Sequence, residues 1–350
     1  MSLVETLRAG LENSAFYANV LAGESGPMIE RYRELGLRVY IAPIPEWRKL
    51  FHRPRFPIAI PRLSTIVSDF APEVIVSNEI WWSPHALLMS KRLGCRSACI
   101  IRDGIATISK ARKYRLQELD RIVCVSNSLA SQLLPDDVMA PRVRTVYNCV
   151  RLPDPDPSVE RNVASALERH PKTRKWMLVI GKVGFRKNQA AAVHCLDELG
   201  KHGWTEWGLM LAGAVEEDYR PKISRAIQET GLADRVCLLG EIPNIASVLR
   251  RADMVILTST REGMPRSLIE GILGGKLCFT SPVEGSEEIF GEHRSLFVSD
   301  TVDGRAIARK ILATLKAPDV AEQARAALQE RSERLFSPKA HVRALLQALQ

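Results

Sequence analysis

From about residue 174 onward, short Val/Ile/Leu-rich runs alternate with stretches of helical length, and this rhythm limits the fold more than any other feature. Candidate strands lie at 176–181, 208–213, 235–240, 253–259, 276–281 and 295–298, most of them closing on Gly or Ser. Helical segments separate them at 188–200, 219–231 and 265–274. Apolar runs without alternation mark strands buried on both faces, and crossover helices between them make the sheet parallel and doubly wound. The first half repeats the rhythm less cleanly, with candidate strands at 15–21, 37–44, 73–77, 96–101, 121–126 and 144–147. A Pro-rich acidic stretch at 152–157 (LPDPDP) separates the halves and reads as a linker. The expected architecture is α/β, with two Rossmann-like doubly wound domains facing a cleft. Ligands of such sheets bind at the carboxyl ends of the strands.

One feature departs from this plan. The chain opens on a helix-like segment, with Leu3, Leu7 and Leu11 spaced along one face and no strand before it. A doubly wound domain begins with a central strand, and omitting that strand leaves two unpaired ladder edges inside the sheet. The expectation is therefore a gene product that is longer at its N-terminus, or an N-terminal sheet lacking its first strand.

Several function classes are excluded early. Hydrophobic residues at 46% and charged residues at 25% rule out wholesale disorder. No apolar run approaches the ~18 residues of a membrane-spanning helix, and the N-terminus lacks the basic region and apolar core of a secretory signal. Seven scattered cysteines without a Cys-x-x-Cys pair read as buried free thiols in a reducing cytosol, neither a metal site nor a disulfide framework. The net charge of +9 is concentrated in residues 1–150, where twenty Lys and Arg face fourteen acidic residues. A basic surface favours phosphate-bearing partners, but no zinc spacing, recognition helix or basic–aromatic strand pattern supports nucleic-acid binding.

The sharpest motif runs from Arg261 to Gly271 (REGMPRSLIEG), directly after the candidate strand at 253–259. Pro265 suits the first turn of a helix. The amides near Ser267 and Leu268 and the helix dipole then favour an anion. Glu262, followed by Gly263, lies in the loop before that helix, and Glu270 sits about a turn and a half inside it. Two carboxylates so placed can grip two sets of hydroxyls on one extended polar ligand; otherwise they decorate a capped surface helix. A second motif, Gly181-Lys182-Val183-Gly184-Phe185-Arg186-Lys187-Asn188, follows the first strand of this half. Its glycines allow a tight turn, and Lys182 and Lys187 can flank a diphosphate. Neither the Walker spacing nor GxGxxG is present, and a hydrated turn is the plain alternative.

Together these motifs resemble the donor-binding domain of the family 4 retaining glycosyltransferases, the "glycosyl transferases group 1" type, which have the GT-B fold. The family's Glu-x7-Glu motif matches Glu262 and Glu270 in spacing, in the flanking Gly263-Met264-Pro265 and in position after the fourth strand. Its Gly-Arg/Lys turn matches Gly181, Lys182 and Lys187, and its strand end before the nucleotide base matches Leu239-Gly240-Glu241-Ile242-Pro243. The resemblance is specific over residues 174–315. Upstream, 123–128 and 146–150 match more loosely, with Cys149 where the family usually has Gly. It implies that Lys182 and Lys187 balance the donor diphosphate, joined by the amides of Ser267 and Leu268. Glu270 takes the ribose hydroxyls, Glu262 the hydroxyls of the transferred sugar, and the main chain around Glu241 and Ile242 the base. No cofactor and no metal is expected. The resemblance also implies domains at 1–155 and 156–335, with an amphipathic helix at 336–350 crossing back onto the first.

Arg102 occupies about the position where many members place a His. Arginine cannot serve as a base at neutral pH, so proton handling or acceptor orientation falls to Asp103 or to a substrate oxygen; Arg102 paired with a carboxylate is the structural alternative. His85 is a further candidate, or simply a helix-start residue. The segment Trp47–Phe56 interleaves basic and aromatic residues and suits a peripheral membrane contact; a solvated loop is its rival. The reading is a cytoplasmic, metal-independent retaining glycosyltransferase, with peripheral contact at the inner face of the membrane through Trp47–Phe56 as a side option. It moves a sugar from a nucleotide sugar to a carbohydrate or lipid-linked acceptor in surface polysaccharide or lipopolysaccharide biosynthesis. The alternative is a catalytically impaired nucleotide-sugar-binding relative; an epimerase or phosphorylase fits the Glu-x7-Glu flanks less well.

Overall fold

The computed structural model describes residues 2–49, 55–104 and 107–350. The chain divides into two compact units, one of Met1–Cys149 with Phe336–Gln350 and one of Val150–Leu335.

Among its described residues the first unit has six strands: β1 (Val20–Ala22), β2 (Val39–Ile41), β3 (Val74–Asn78), β4 (Arg96–Ile101), β5 (Arg121–Cys124) and β6 (Val143–Thr145). All pair in parallel, but in two separate sheets, β1-β2 and β3-β4-β5-β6. Residues 2–12 are helical, as the leucine spacing predicts, and form no strand. Among the described residues β1 has only β2 as a ladder partner and β3 only β4. Leu21 of β1 and Ile75 of β3 nevertheless pack against one apolar cluster of Ala42, Phe56, Ile60, Leu63 and Met89. The strand expected at 15–21 shrinks to its last residues, because the amide of Ala15 is used to close the first helix on the Gly10 carbonyl, 2.9 Å away.

The closing helix Pro338–Leu349 buries Val342 against Ala9 and Cys149 of the same unit. Cys149 thus fills an apolar gap. His341 is buried beside it, with Nδ1 2.6 Å from the Tyr147 carbonyl and Nε2 3.0 Å from the Thr6 hydroxyl. Burial holds its imidazole down at about 4, because charging it there would forfeit hydration.

The second unit carries one five-stranded parallel sheet of β7 (Lys175–Ile180), β8 (Trp207–Ala212), β9 (Val236–Gly240), β10 (Met254–Leu257) and β11 (Leu277–Thr280). The order is β11-β10-β7-β8-β9. β8 and β10 are buried along their whole length, which is why their sequences are unbroken apolar runs. The helix Gln189–Lys201 covers the sheet with Ala190, Val193, Leu196 and Leu199. The stretch at 152–157 is tied to this unit, with Asn244 donating to the Asp154 carbonyl at 2.7 Å and the Ser247 hydroxyl to that of Asp156 at 3.1 Å.

The last candidate strand, at 295–298, is corrected: Arg294–Phe297 is helical, and Val298 contributes only an isolated bridge to Thr280. Phe297 packs 5.5 Å from both the Phe279 and Phe290 rings. A four-residue apolar run serves a buried helical turn as well as a strand.

Candidate functional site

The second unit builds its site where the β7 and β10 strands, neighbours in the sheet, end side by side. After β7 the chain turns through Gly181, whose φ of 128° is open to glycine and strained for other residues. The turn is held from below by Gln189, fully buried, which takes the Gly184 amide on Oε1 at 3.1 Å and donates to the Lys182 carbonyl at 3.0 Å. A Cβ at Gly184 would stand 2.1 Å from a Glu216 carboxylate oxygen, so a larger residue there would push that side chain aside. Lys182 reaches that same carboxylate at 3.1 Å, and its side chain is largely exposed.

The far end of this turn is tied to the loop after β10. The Thr258 hydroxyl donates to the Lys187 carbonyl at 2.9 Å, and the Thr260 amide to that of Arg186 at 2.9 Å. Glu262 sits in that loop, only 5% exposed. Its carboxylate takes the Lys187 ammonium at 2.8 Å, the Ser259 hydroxyl at 2.7 Å and the Arg186 guanidinium at 3.3 Å. A buried carboxylate survives only with such partners. Lys187 and Glu262, each read from the sequence as facing a ligand, therefore hold one another in the free protein.

The helix that follows spans Arg266–Leu273, with Pro265 as its cap residue (ψ 95°) and not as its first residue. The Leu268 amide is turned back to the Pro265 carbonyl at 3.2 Å, so the picture of a free amide there is corrected. The Ser267 hydroxyl is buried at this helix start without a hydrogen-bond partner among the described residues. Gly263 lies between Glu262 and Met264 in the same loop. Glu270 lies within the helix, its carboxylate 3.4 Å from the Arg266 guanidinium and both largely covered. Glu241 and Ile242 follow β9, at the sheet edge, with β8 between them and β7. Gln189, Ser259 and Glu216 carry no spacing signal in the sequence, whereas Arg186 lies inside the Gly181–Asn188 motif.

In the first unit Arg102 follows β4 and donates from Nε to the Asn78 amide oxygen at 2.9 Å and from Nη1 to that of Asn148 at 2.8 Å. It joins the ends of β3 and β4 to the segment after β6. Asp103 beside it is exposed. Glu79, which no motif marked, follows β3 at φ 98° and ψ 151°, a region that is nearly glycine-only and costs about 1–3 kcal/mol. Burial first and the nearby Asp103 charge second raise its carboxyl to about 7, against the opposing pull of Arg102.

His85 belongs to the core: it is 5% exposed, Nε2 meets the Pro45 carbonyl at 2.7 Å, and burial lowers its pKa. Of the aromatic–basic segment, residues 50–54 lie outside the described residues. Its two ends are folded in: the Trp47 indole donates to the Lys113 carbonyl at 3.1 Å and meets buried Phe56 edge-on. Among the described residues no group of three or more His, Cys, Asp or Glu could hold a metal ion, and no helix is long and apolar enough to cross a membrane.

Two family models match this chain, Glycosyltransferase Family 4 over residues 2–152 and Glycosyl transferases group 1 over residues 161–333. The chain is 20% identical over 298 residues to the capsular polysaccharide biosynthesis glycosyltransferase CapH of Staphylococcus aureus, covering 82% of this chain and 78% of that one. Over 145 residues, 40% of this chain and 41% of the relative, it is 27% identical to the lipopolysaccharide core biosynthesis mannosyltransferase LpcC of Rhizobium leguminosarum bv. viciae. Its fold is similar to that of Anabaena Alr3699/HepE, solved in complex with UDP and glucose, at a TM-score of 0.82 and 14% identity, covering 99% of this chain and 94% of the other. A glycosyltransferase from Rickettsia africae ESF-5 is similar at a TM-score of 0.81 and 15% identity, with 99% and 92% covered. Two matched halves, parallel-sheet units and the GT-B likeness agree: this chain belongs to the family 4, group 1-type glycosyltransferases and is related to enzymes of capsular and lipopolysaccharide biosynthesis.

Proposed function

We propose that the protein is a retaining, metal-independent glycosyltransferase that moves a sugar from a nucleotide-diphosphate donor to a carbohydrate or lipid-linked acceptor of a surface polysaccharide or lipopolysaccharide. One observation carries the donor assignment: Glu262 is buried and fixed by Lys187, Ser259 and Arg186 where the β7 and β10 loops meet. A carboxylate held this firmly is placed to receive sugar hydroxyls. An arriving diphosphate gives Lys187 a second anion to balance, and Lys182 is exposed enough to leave Glu216 for it. The start of the helix Arg266–Leu273 adds the dipole and the Ser267 hydroxyl, which has no partner among the described residues. Lysines, guanidinium and dipole can stabilise the leaving diphosphate, a role that a divalent cation fills in other sites. Glu270 would take the ribose hydroxyls, and the main chain at Gly240, Glu241 and Ile242 the base. The related HepE structure with UDP-glucose makes uridine the first base to test.

The test is turnover: UDP-glucose, UDP-N-acetylglucosamine and GDP-mannose are offered with polysaccharide or lipid-linked acceptor preparations. Nucleoside diphosphate release is followed, and the anomeric configuration of the product is read by proton NMR. Transfer with retention supports the reading; transfer with inversion contradicts it. The second reading, a nucleotide-sugar binder with impaired catalysis, has one observation on its side: Arg102 is committed to Asn78 and Asn148. It predicts nucleotide binding with no release from any donor.

A further inference from the structure

We propose that Glu216 competes with the donor diphosphate for Lys182, and so sets how tightly the second unit holds a nucleotide. The inference rests on the transferase reading, which assigns Lys182 to that diphosphate. Glu216 is carried by the segment after β8, and its backbone is fixed to the turn after β7. Val183 and Val215 form a parallel bridge; the Val183 amide donates to the Ala214 carbonyl at 2.8 Å, and the Glu216 amide to the Val183 carbonyl at 2.9 Å. The Glu216 carbonyl in turn takes the amides of Tyr219 and Arg220, each at 3.0 Å. From this anchored position the carboxylate lies against Gly184, in space that a side chain there would claim. It reaches the Lys182 ammonium at 3.1 Å. The next acid in the chain is engaged elsewhere: Glu217 takes the Arg220 guanidinium at 2.8 Å.

With β10 and β8 flanking β7 in the sheet, the turn after β7 meets a carboxylate from each side, and burial gives the two opposite parts. Glu262 is buried and keeps Lys187, Ser259 and Arg186 as fixed partners. The Glu216 side chain is 31% exposed and that of Lys182 65%, so both can exchange their partner for water at small cost. A diphosphate carries more negative charge than one carboxylate and offers several acceptor oxygens, so it wins the ammonium from Glu216. Its gain is reduced by the pair it breaks. The displaced carboxylate, tethered by its backbone, also stays close enough to repel it. An exposed pair of this kind is worth up to about fivefold in an equilibrium constant, and the repulsion adds to that. Glu216 therefore weakens nucleotide binding, for the incoming donor and for the spent nucleoside diphosphate alike.

The test is calorimetric titration of UDP, GDP and ADP into the full chain as wild type, Glu216→Gln, Glu217→Gln, Lys182→Met and the double variant Lys182→Met/Glu216→Gln. For the nucleotide that binds, Glu216→Gln should lower Kd about three- to tenfold. Glu217→Gln removes the same charge one residue on and should stay within about twofold of wild type. Lys182→Met should weaken binding, and in that background Glu216→Gln should gain about twofold or less, because no ammonium is left to release. The calorimetric stoichiometry reports the folded fraction of each variant, so misfolding does not pass for lost affinity. Equal or weaker binding by Glu216→Gln overturns the proposal. So does a matching gain in Glu217→Gln, or a full gain in the Lys182→Met background. Any of these leaves the donor reading standing, whereas binding of no nucleotide to any of the five proteins contradicts that reading and the proposal with it.

Discussion

Replacing Lys187 by Met should destabilise the ligand-free protein, because it removes the principal cation from a carboxylate that is almost wholly buried. The Glu262 side chain is 7% exposed and that of Lys187 13%, and they meet at 2.8 Å. Breaking a pair buried at this depth costs about 3–5 kcal/mol when the remaining charge is left alone. Glu262 would not be alone: the Ser259 hydroxyl at 2.7 Å and the more exposed Arg186 guanidinium at 3.3 Å remain. Two surviving hydrogen bonds, one charge-assisted, reduce the loss to about 2–3 kcal/mol. Glu262→Gln removes the charge and should cost less, about 1–2 kcal/mol. Once Glu262 is neutral, Lys187→Met should cost little beyond its lost packing. Denaturant unfolding of the full chain as wild type, both single variants and the double variant measures the coupling directly. A coupling of about 1.5 kcal/mol or more is expected; costs that add within about 0.5 kcal/mol would refute the claim that these residues hold each other.

Three further predictions concern pH and the helix start. Glu79 at about 7 in the folded chain, against 4.5 as model value, gives stability that is fully present below pH 4.5 and lost as pH rises through 7. Relative to wild type, Glu79→Gln should therefore gain about 3 kcal/mol between pH 4 and pH 8 in denaturant unfolding. His341 works in the opposite sense. Its folded value of about 4 lies below 6.5, so its contribution is intact above pH 6.5 and lost as pH falls through 4. The difference curve of His341→Gln should slope the other way by a similar amount, and flat difference curves would remove both assignments. Ser267→Ala removes a hydroxyl with no partner among the described residues, so its stability should stay within about 0.5 kcal/mol. Its affinity for UDP in calorimetry should fall about ten- to a hundredfold, the worth of one hydrogen bond to a charged group; unchanged affinity would take Ser267 out of the phosphate site.

The parallel sheet of the second unit was readable almost strand by strand, because strands buried on both faces cannot afford polar residues and announce themselves as apolar runs. The same signal misplaced 295–298, where Phe297 needed burial between two phenylalanines and a helical turn supplied it. Short alternating runs in the first unit were blurred. β1 kept three residues, and β3 is half-exposed along much of its length, as a strand with one ladder partner is. Spacing located Glu262, Lys187 and Glu270 on the elements expected, but it could not reveal that Lys187 and Glu262 pair, since both residue types also suit a bound sugar phosphate. Gln189 looks like an ordinary first helical residue in the sequence, and only in the fold does its amide come to lie under the Gly181 turn. Glu79 was invisible for a different reason: a glycine-like φ on a glutamate leaves no trace in composition or periodicity.

The measurement closest to the central claim is calorimetric titration of UDP, GDP and ADP into the wild-type protein, Glu270→Ala and Lys187→Ala. One nucleotide should bind wild type, and both substitutions should abolish or strongly weaken that binding, through the ribose contact in one case and the diphosphate contact in the other. Binding of no nucleotide to wild type, or binding that survives both substitutions, would contradict a donor site built on the β7 and β10 loops.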